Sequence, residues 1–126
     1  MSLTMDEIFI GTDIVSVTRI SAILKSNKKN QFCRRIFTKS EIQYCNSKPN
    51  PAMHYAGRFA AKEAIVKAIL SSENKSLPFS AIEIKSNDYG EPIVNFHVTI
   101  TNFLKCKVSI SHIEDYAIAF AILSMS

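Results

Sequence analysis

The longest regular pattern of apolar residues runs over residues 52–71, which are rich in alanine and contain no proline. At about 100° per residue, most of these apolar residues fall on one arc of a helix, and a smaller apolar arc lies on the opposite side. The first arc comprises Ala61, Ala64, Ile65, Ala68 and Ile69, and the second comprises Phe59, Val66 and Leu70. Because such a helix is apolar on two sides, we expect it to be buried on two sides.

Shorter helices are predicted before this long helix. Ser16 can cap a helix that ends near residue 24, and residues 31–36 form a short helical stretch. Thr38 and Glu41 have the spacing of a capping box, which begins a further helix that ends near residue 46.

The predicted strands lie mainly in the second half of the chain. One strand opens the chain at residues 7–15, because β-branched and aromatic residues are frequent there. The others are a half-exposed strand at 81–86, a strand at 92–96 after a turn, and a hairpin of 107–112 with 116–123. Helices followed by strands predict an α+β fold: N-terminal helices, including one long buried helix, packed on a mostly antiparallel sheet. A chain of 126 residues fits one domain, residues 1–126.

Composition excludes several classes of protein. No apolar stretch approaches the roughly 20 residues of a membrane helix, and the first residues do not have the pattern of a signal peptide. The three cysteines are odd in number and have no C-x-x-C spacing, so neither a disulfide framework nor a zinc site is expected. These features favour a cytoplasmic protein with free thiols.

The net charge of +4 is unevenly distributed. Residues 19–48 contain eight basic residues and one acidic residue, hence +7, whereas the remainder has seven basic and ten acidic residues, hence −3. A local basic surface of this kind indicates either an acidic partner or a solvated lysine-rich face.

Four charged residues on the long helix require an explanation, because unpaired buried charge is costly. They are Arg58, Lys62, Glu63 and Lys67. One interpretation is a surface ion pair between Glu63 and Lys67. The other is that Glu63 binds a hard cation such as Mg²⁺, which takes one or two carboxylates together with water and substrate phosphate. Asp13, near the end of the first strand, is the candidate for the second carboxylate.

Five short segments are each weakly informative alone but form a specific pattern when they are taken together. They are G-T-D-I at 11–14 with Arg19 downstream, F-T-K-S-E at 37–41, G-R-F-A-A-K-E-A at 57–64 with Lys67, G-E-P at 90–92, and V-S-I-S-H at 108–112. Between about residues 8 and 123 the chain thus resembles the holo-acyl-carrier-protein synthase family of phosphopantetheinyl transferases.

The resemblance implies a reaction and its site. Asp13 and Glu63 would hold Mg²⁺ with the pyrophosphate of coenzyme A, and a serine of an apo-acyl carrier protein would attack the β-phosphate. Lys62 would contact the phosphates as a catalytic residue, and His112 would contact coenzyme A beside Ser111. Arg58 and Lys67 would bind the coenzyme or order the helix. The general base stays open among Glu63, His112 and a water on the metal ion.

The resemblance also supplies partners. An acidic acyl carrier protein would dock on the basic region, with Arg19 at a family position and Lys25, Lys28 and Arg34 nearby. A homotrimer with sites between subunits and a role in fatty acid biosynthesis are implied in the same way.

Two other functions are compatible with the residues, and one loop departs from the family's pattern. The basic region contains aromatic residues, as a nucleic-acid-binding module would, and a non-catalytic coenzyme A-binding subunit is the other alternative. The loop at 71–75 lacks the glycine that the family usually has, so no coenzyme contact is assigned there. His54 and His97 match no motif and are interpreted as incidental.

Overall fold

The computed structural model describes residues 6–72 and 74–126, and Glu73 of the glycine-free loop lies outside them. Four helices and five strands follow one another along this part of the chain. They are β1 (Glu7–Ser16), α1 (Val17–Leu24), α2 (Lys29–Ile36), α3 (Lys39–Asn46), α4 (Pro51–Ser71), β2 (Ile82–Ser86), β3 (Pro92–Phe96), β4 (Phe103–His112) and β5 (Tyr116–Met125). A short 3-10 turn, Phe79–Ala81, precedes β2. The predicted α+β fold is confirmed.

Local capping fixes where two of the helices begin. The Ser16 side chain accepts a hydrogen bond from the backbone N–H of Arg19 at the start of α1. At the start of α3, Thr38 and Glu41 form the expected capping box. The strands depart more from expectation: β4 begins at Phe103, earlier than its pattern indicated, and on β2 the polar residue Glu83 is buried although Lys85 is exposed.

The strands form two antiparallel sheets rather than one. The larger has the order β1-β5-β4, and the smaller is the hairpin β2-β3. In the larger sheet Asp13 lies opposite Ala119, and His112 lies opposite Ala117. The two polar residues therefore stand on the outer strands, on either side of β5.

Helix α4 lies directly on one face of the larger sheet, and small residues permit the close approach. All five residues of its first apolar arc are fully buried. A Cβ atom at Gly11 would lie 1.8 Å from the carbonyl oxygen of Ala64, so only glycine fits there. On the second arc, Phe59 packs edge-on between Phe32 and Phe79. Leu70 is 51% exposed, so burial on two sides does not extend to the end of the helix.

The opposite face of the same sheet is apolar but uncovered. Alternate residues of a strand point to opposite faces, so Ala117, Ala119, Ala121, Leu123 and Met125 of β5 face α4 and the residues between them face outward. The large outward residues of β1 and β5 are 41–66% exposed, and they are Ile8, Ile10, Ile14, Tyr116, Ile118, Phe120 and Ile122. We call these seven residues the open sheet face.

No helix among the described residues is long and apolar enough to cross a membrane.

Candidate active site

Asp13 and Glu63 form a pair of carboxylates between β1 and α4. Burial, followed by the charge and hydrogen bonding of the adjacent Asp13, raises the pKa of Glu63. Lys67 pairs with Asp13 rather than with Glu63: its Nζ donates to Asp13 Oδ1 at 3.0 Å and to the Thr12 carbonyl oxygen at 2.9 Å. In the described part of the chain, no group of three or more His, Cys, Asp or Glu residues could hold a metal ion. The two carboxylates thus fit a cation that takes its remaining ligands from substrate and water.

Lys62 lies elsewhere, and its expected contact with phosphate is not supported. Its side chain is fully buried. The ammonium group donates to the carbonyl oxygens of Ile36 at 2.7 Å and Phe79 at 3.1 Å, and to Glu41 Oε1. Because an ammonium group has three protons, all of its donors are occupied within the core. Lys62 therefore joins α4 to α3 and to the segment before β2.

A cleft of about 970 Å³ opens beside the carboxylate pair. Its floor includes the aromatic residues Phe32, Phe59 and Phe79. Arg19 and Lys28, two of the predicted carrier-binding residues, line the cleft, and Arg35 joins them. The structure therefore brings a basic rim next to the carboxylates, as an acidic partner would require.

The other two predicted carrier-binding residues lie apart from this cleft. Lys25 lines a smaller cleft of about 340 Å³ between α1 and the start of α4, together with Lys29. Arg34 is exposed on α2 and lines neither cleft.

A second polar cluster lies on a different side of α4, around the ring of Tyr44. The Arg58 guanidinium carbon is 3.8 Å from the ring centroid, and Lys48 Nζ is 4.7 Å from it. The His54 ring packs edge-on against Tyr44 at 5.9 Å and against His112 at 5.4 Å. We call Tyr44, Lys48, His54, Arg58 and His112 the Tyr44 cluster.

Arg58 is the most enclosed cation of the Tyr44 cluster. It is 6% exposed and donates to Ser86 Oγ at 3.2 Å, while its buried Nε has no hydrogen-bond partner among the described residues. Burial by itself raises the pKa of Tyr44, but a hydrogen bond with Ser86 and the charges of Arg58 and Lys48 outweigh it, so that the pKa is lowered. The cluster therefore brings two cations, Arg58 and Lys48, to one ring.

Ser111 is not part of this cluster within one chain. It precedes His112 on β4, and adjacent strand residues point to opposite faces of a sheet. Since His112 faces α4, Ser111 faces the same side as the open sheet face.

The sequence interpretation missed three members of the Tyr44 cluster, namely Tyr44, Lys48 and His54. A signal for His54 was present, because residues four apart on a helix are neighbours and His54 precedes Arg58 by four. Nothing local indicates Tyr44 or Lys48, which meet the cluster only when α3 packs against α4.

Comparisons with known proteins show the family and the fold of this chain. The family model described as the 4′-phosphopantetheinyl transferase superfamily matches residues 9–121. The chain belongs to this superfamily. Among curated relatives, the holo-[acyl-carrier-protein] synthase of Protochlamydia amoebophila is 41% identical over 118 residues, which covers 91% of this chain and 96% of the relative. That of Chlorobaculum parvum is 40% identical, with 90% and 96% covered.

Solved structures of this superfamily share the fold. The holo-(acyl-carrier-protein) synthase of Bacillus anthracis, in complex with CoA (3′,5′-ADP), gives a TM-score of 0.77 at 31% identity, covering 97% of this chain and 100% of that chain. The Helicobacter pylori enzyme, in complex with coenzyme A, gives 0.76 at 32% identity, covering 90% and 98%. The prediction of a transferase of the holo-acyl-carrier-protein synthase family is confirmed over the two rival interpretations.

Proposed function

We propose that this chain transfers 4′-phosphopantetheine from coenzyme A to a serine of an apo-acyl carrier protein, with Mg²⁺, in cytoplasmic fatty acid biosynthesis. The names of its relatives and the coenzyme complexes of two of them support the reaction class. The observation that carries the proposal is the pair of carboxylates, Asp13 and Glu63, beside a cleft with a basic rim.

Asp13 and Glu63 are the residues that would hold Mg²⁺. Burial, and then the charge of the adjacent Asp13, raise the pKa of Glu63, and a bound cation would offset both effects. Mg²⁺ bound there would neutralise the pyrophosphate and make its phosphorus more electrophilic. Lys67 holds the Asp13 carboxylate in place and presents a second positive charge at the cleft.

The reaction forms a bond from the serine oxygen to the β-phosphorus and breaks the bond from that phosphorus to the bridging oxygen. Adenosine 3′,5′-bisphosphate leaves, and the serine proton passes to a base. Within one chain, Glu63 lies at the carboxylate pair, whereas His112 lies in the Tyr44 cluster on another side of α4. The geometry therefore favours Glu63 as proton acceptor, and Arg58 and His112 as ligands of the coenzyme's phosphates.

The carrier protein would dock on the basic rim of the cleft. Arg19, Lys28 and Arg35 stand beside the carboxylate pair, so an acidic partner bound there brings its serine to the reacting phosphorus. Lys25 and Arg34 lie further out and would act mainly through long-range attraction.

The open sheet face supports assembly into a homotrimer with sites between subunits. Its large apolar residues form a contiguous exposed surface of the kind that marks a protein interface. Ser111 lies on this side of the sheet, so it would reach a coenzyme only across a subunit boundary.

One assay tests the transfer itself. The protein is incubated with coenzyme A, Mg²⁺ and an apo-acyl carrier protein from the same source, and the carrier's mass is followed for the gain of one phosphopantetheine. We expect Asp13→Asn and Glu63→Gln to lower the rate at least about a hundredfold, and Asp88→Asn, in the exposed turn between β2 and β3, to leave it unchanged. An unmodified carrier with the wild-type protein, together with unaltered Mg²⁺ binding by Asp13→Asn and Glu63→Gln, would overturn the proposal.

A further inference from the structure

The Tyr44 cluster contains two basic side chains, Lys48 and His54, to which the proposed function gives no role. Lys48 from the loop after α3 and His54 and Arg58 from α4 pack around the Tyr44 ring, and His112 from β4 packs against His54. Among residues 6–72 and 74–126, none of the four forms a salt bridge with a carboxylate. Two adjacent cations without a carboxylate partner, of which Arg58 is 6% exposed and has an unpartnered buried Nε among the described residues, indicate an anion ligand.

The position of the cluster indicates which anion of the coenzyme it would meet. The pyrophosphate must lie at Asp13 and Glu63, where the reaction occurs. The residues of the Tyr44 cluster do not line the cleft beside that pair. The anion that remains on coenzyme A is the phosphate monoester of its ribose, which carries up to two negative charges with a second pKa near 6.

We propose that His54 is a further ligand of this phosphate monoester, and that the His54–His112 pair couples coenzyme binding to the uptake of a proton. This inference rests on the proposed function, because it takes coenzyme A as the ligand. It assigns a binding role to His54, which no motif of the sequence singles out.

The arrangement of the two rings supports this coupling. They pack edge-on with centroids 5.4 Å apart, so a phosphate that contacts His112 is within reach of the His54 ring. Burial first, and then the charges of His112, Lys48 and Arg58, lower the pKa of His54. Tyr44 is the remaining titratable group that faces it. A bound dianion opposes the neighbouring positive charges, favours the imidazolium form and so draws a proton onto His54.

The sign of the pH dependence follows from this. Protonated His54 binds the dianion more tightly, so the affinity for coenzyme A falls as the pH rises through the pKa of His54 in the complex, by up to about tenfold per pH unit. Dephospho-coenzyme A lacks the monoester, and its affinity should not share this dependence.

Calorimetry of the full chain with Mg²⁺ tests the inference. Coenzyme A and dephospho-coenzyme A are titrated between pH 6.5 and 8.5, in pairs of buffers with different ionisation enthalpies, so that proton uptake is measured directly. The main variant is His54→Phe, which keeps a ring against Tyr44 and His112 but cannot be charged. His54→Gln serves as a second variant if the first folds poorly, and His97→Gln is the control for loss of a histidine elsewhere.

We expect the wild-type protein and His97→Gln to take up more protons with coenzyme A than with dephospho-coenzyme A. His54→Phe and His54→Gln should reduce that difference and weaken coenzyme A binding about five- to tenfold at pH 6.5, with dephospho-coenzyme A unaffected. Unchanged proton uptake and an unchanged ratio of the two affinities in both His54 variants would overturn the inference, while carrier modification by the wild-type protein would leave the proposed function standing. If the wild-type protein binds no coenzyme A, both fail together.

Discussion

Lys62 gives the sharpest test of the site. The family resemblance places it at the phosphates, whereas the structure places it in a buried ion pair, and the two placements predict different defects when it is substituted. The substitution is Lys62→Met, which keeps most of the side chain's volume and removes its charge. In the structure this leaves Glu41 buried without its cation. It also removes a donor from the carbonyl oxygens of Ile36 and Phe79. The main effect should therefore be on folding rather than on phosphate binding.

The magnitude follows from the burial of both partners. Removal of one member of a buried ion pair costs about 3–5 kcal/mol. With an unfolding entropy of about 2.1 cal/mol/K per residue, the 126 residues convert this cost into a fall in Tm of roughly 10–20 °C. Glu41→Gln should destabilise similarly, and the double variant should be more stable than the two single effects predict, by about 2 kcal/mol.

Thermal and urea unfolding at one fixed protein concentration measure these effects, and turnover is measured per folded molecule. Lys67→Met is the matched control, because its ion pair with Asp13 is half-exposed and should contribute less than about 1 kcal/mol to stability. We expect Lys62→Met to lose stability and keep turnover within about threefold. Lys67→Met should keep its stability and lose turnover. A Lys62→Met protein with wild-type stability but no turnover would refute the structural role and return Lys62 to the phosphates.

Three further predictions concern packing, pH and assembly. Gly11→Ala should lower stability by at least about 2 kcal/mol in thermal melts, because its Cβ would meet a backbone oxygen of α4, whereas Gly57→Ala meets only a side-chain methyl at 3.0 Å and should cost less. Although burial opposes it, hydrogen bonds from two hydroxyl groups lower the pKa of Glu83 from 4.5 to about 2. Its stabilisation is present above pH 4.5 and is lost as the pH falls towards 2, so urea unfolding of Glu83→Gln should vary less with pH over that range. Phe120→Asp on the open sheet face should shift the mass in solution towards the monomer, while Tyr89→Asp, at an 89% exposed turn position, should not.

The predictability of each feature depended on how local its signal was. The capping box of α3 and the length of α4 were predicted correctly, because their signals lie within a few residues of one another. Lys62 was placed at the phosphates by the family resemblance, in which it stands next to Glu63 in the motif of residues 57–64. Adjacent helix residues point about 100° apart, however, and the partner of Lys62 is Glu41, 21 residues away. The Tyr44 cluster needs α3, α4 and β4 to be assembled, so no single segment contained it.

Two neighbouring stripes on α4 explain why one enclosed helix carries so many charges. Residues 59, 63 and 67 are spaced four apart; Phe59 and Glu63 line the cleft, and Lys67 pairs with Asp13 beside it. Residues 54, 58 and 62 form the adjacent stripe, which faces α3. Along the second stripe the environment changes from half-buried at His54 to fully buried at Lys62. A buried ion pair is not in itself a source of stability, but its strict geometry fixes how two elements align. We infer that the pairing of Lys62 with Glu41 sets the position of α3 along α4, and thereby holds Tyr44 beneath Arg58 where the coenzyme's anion would bind.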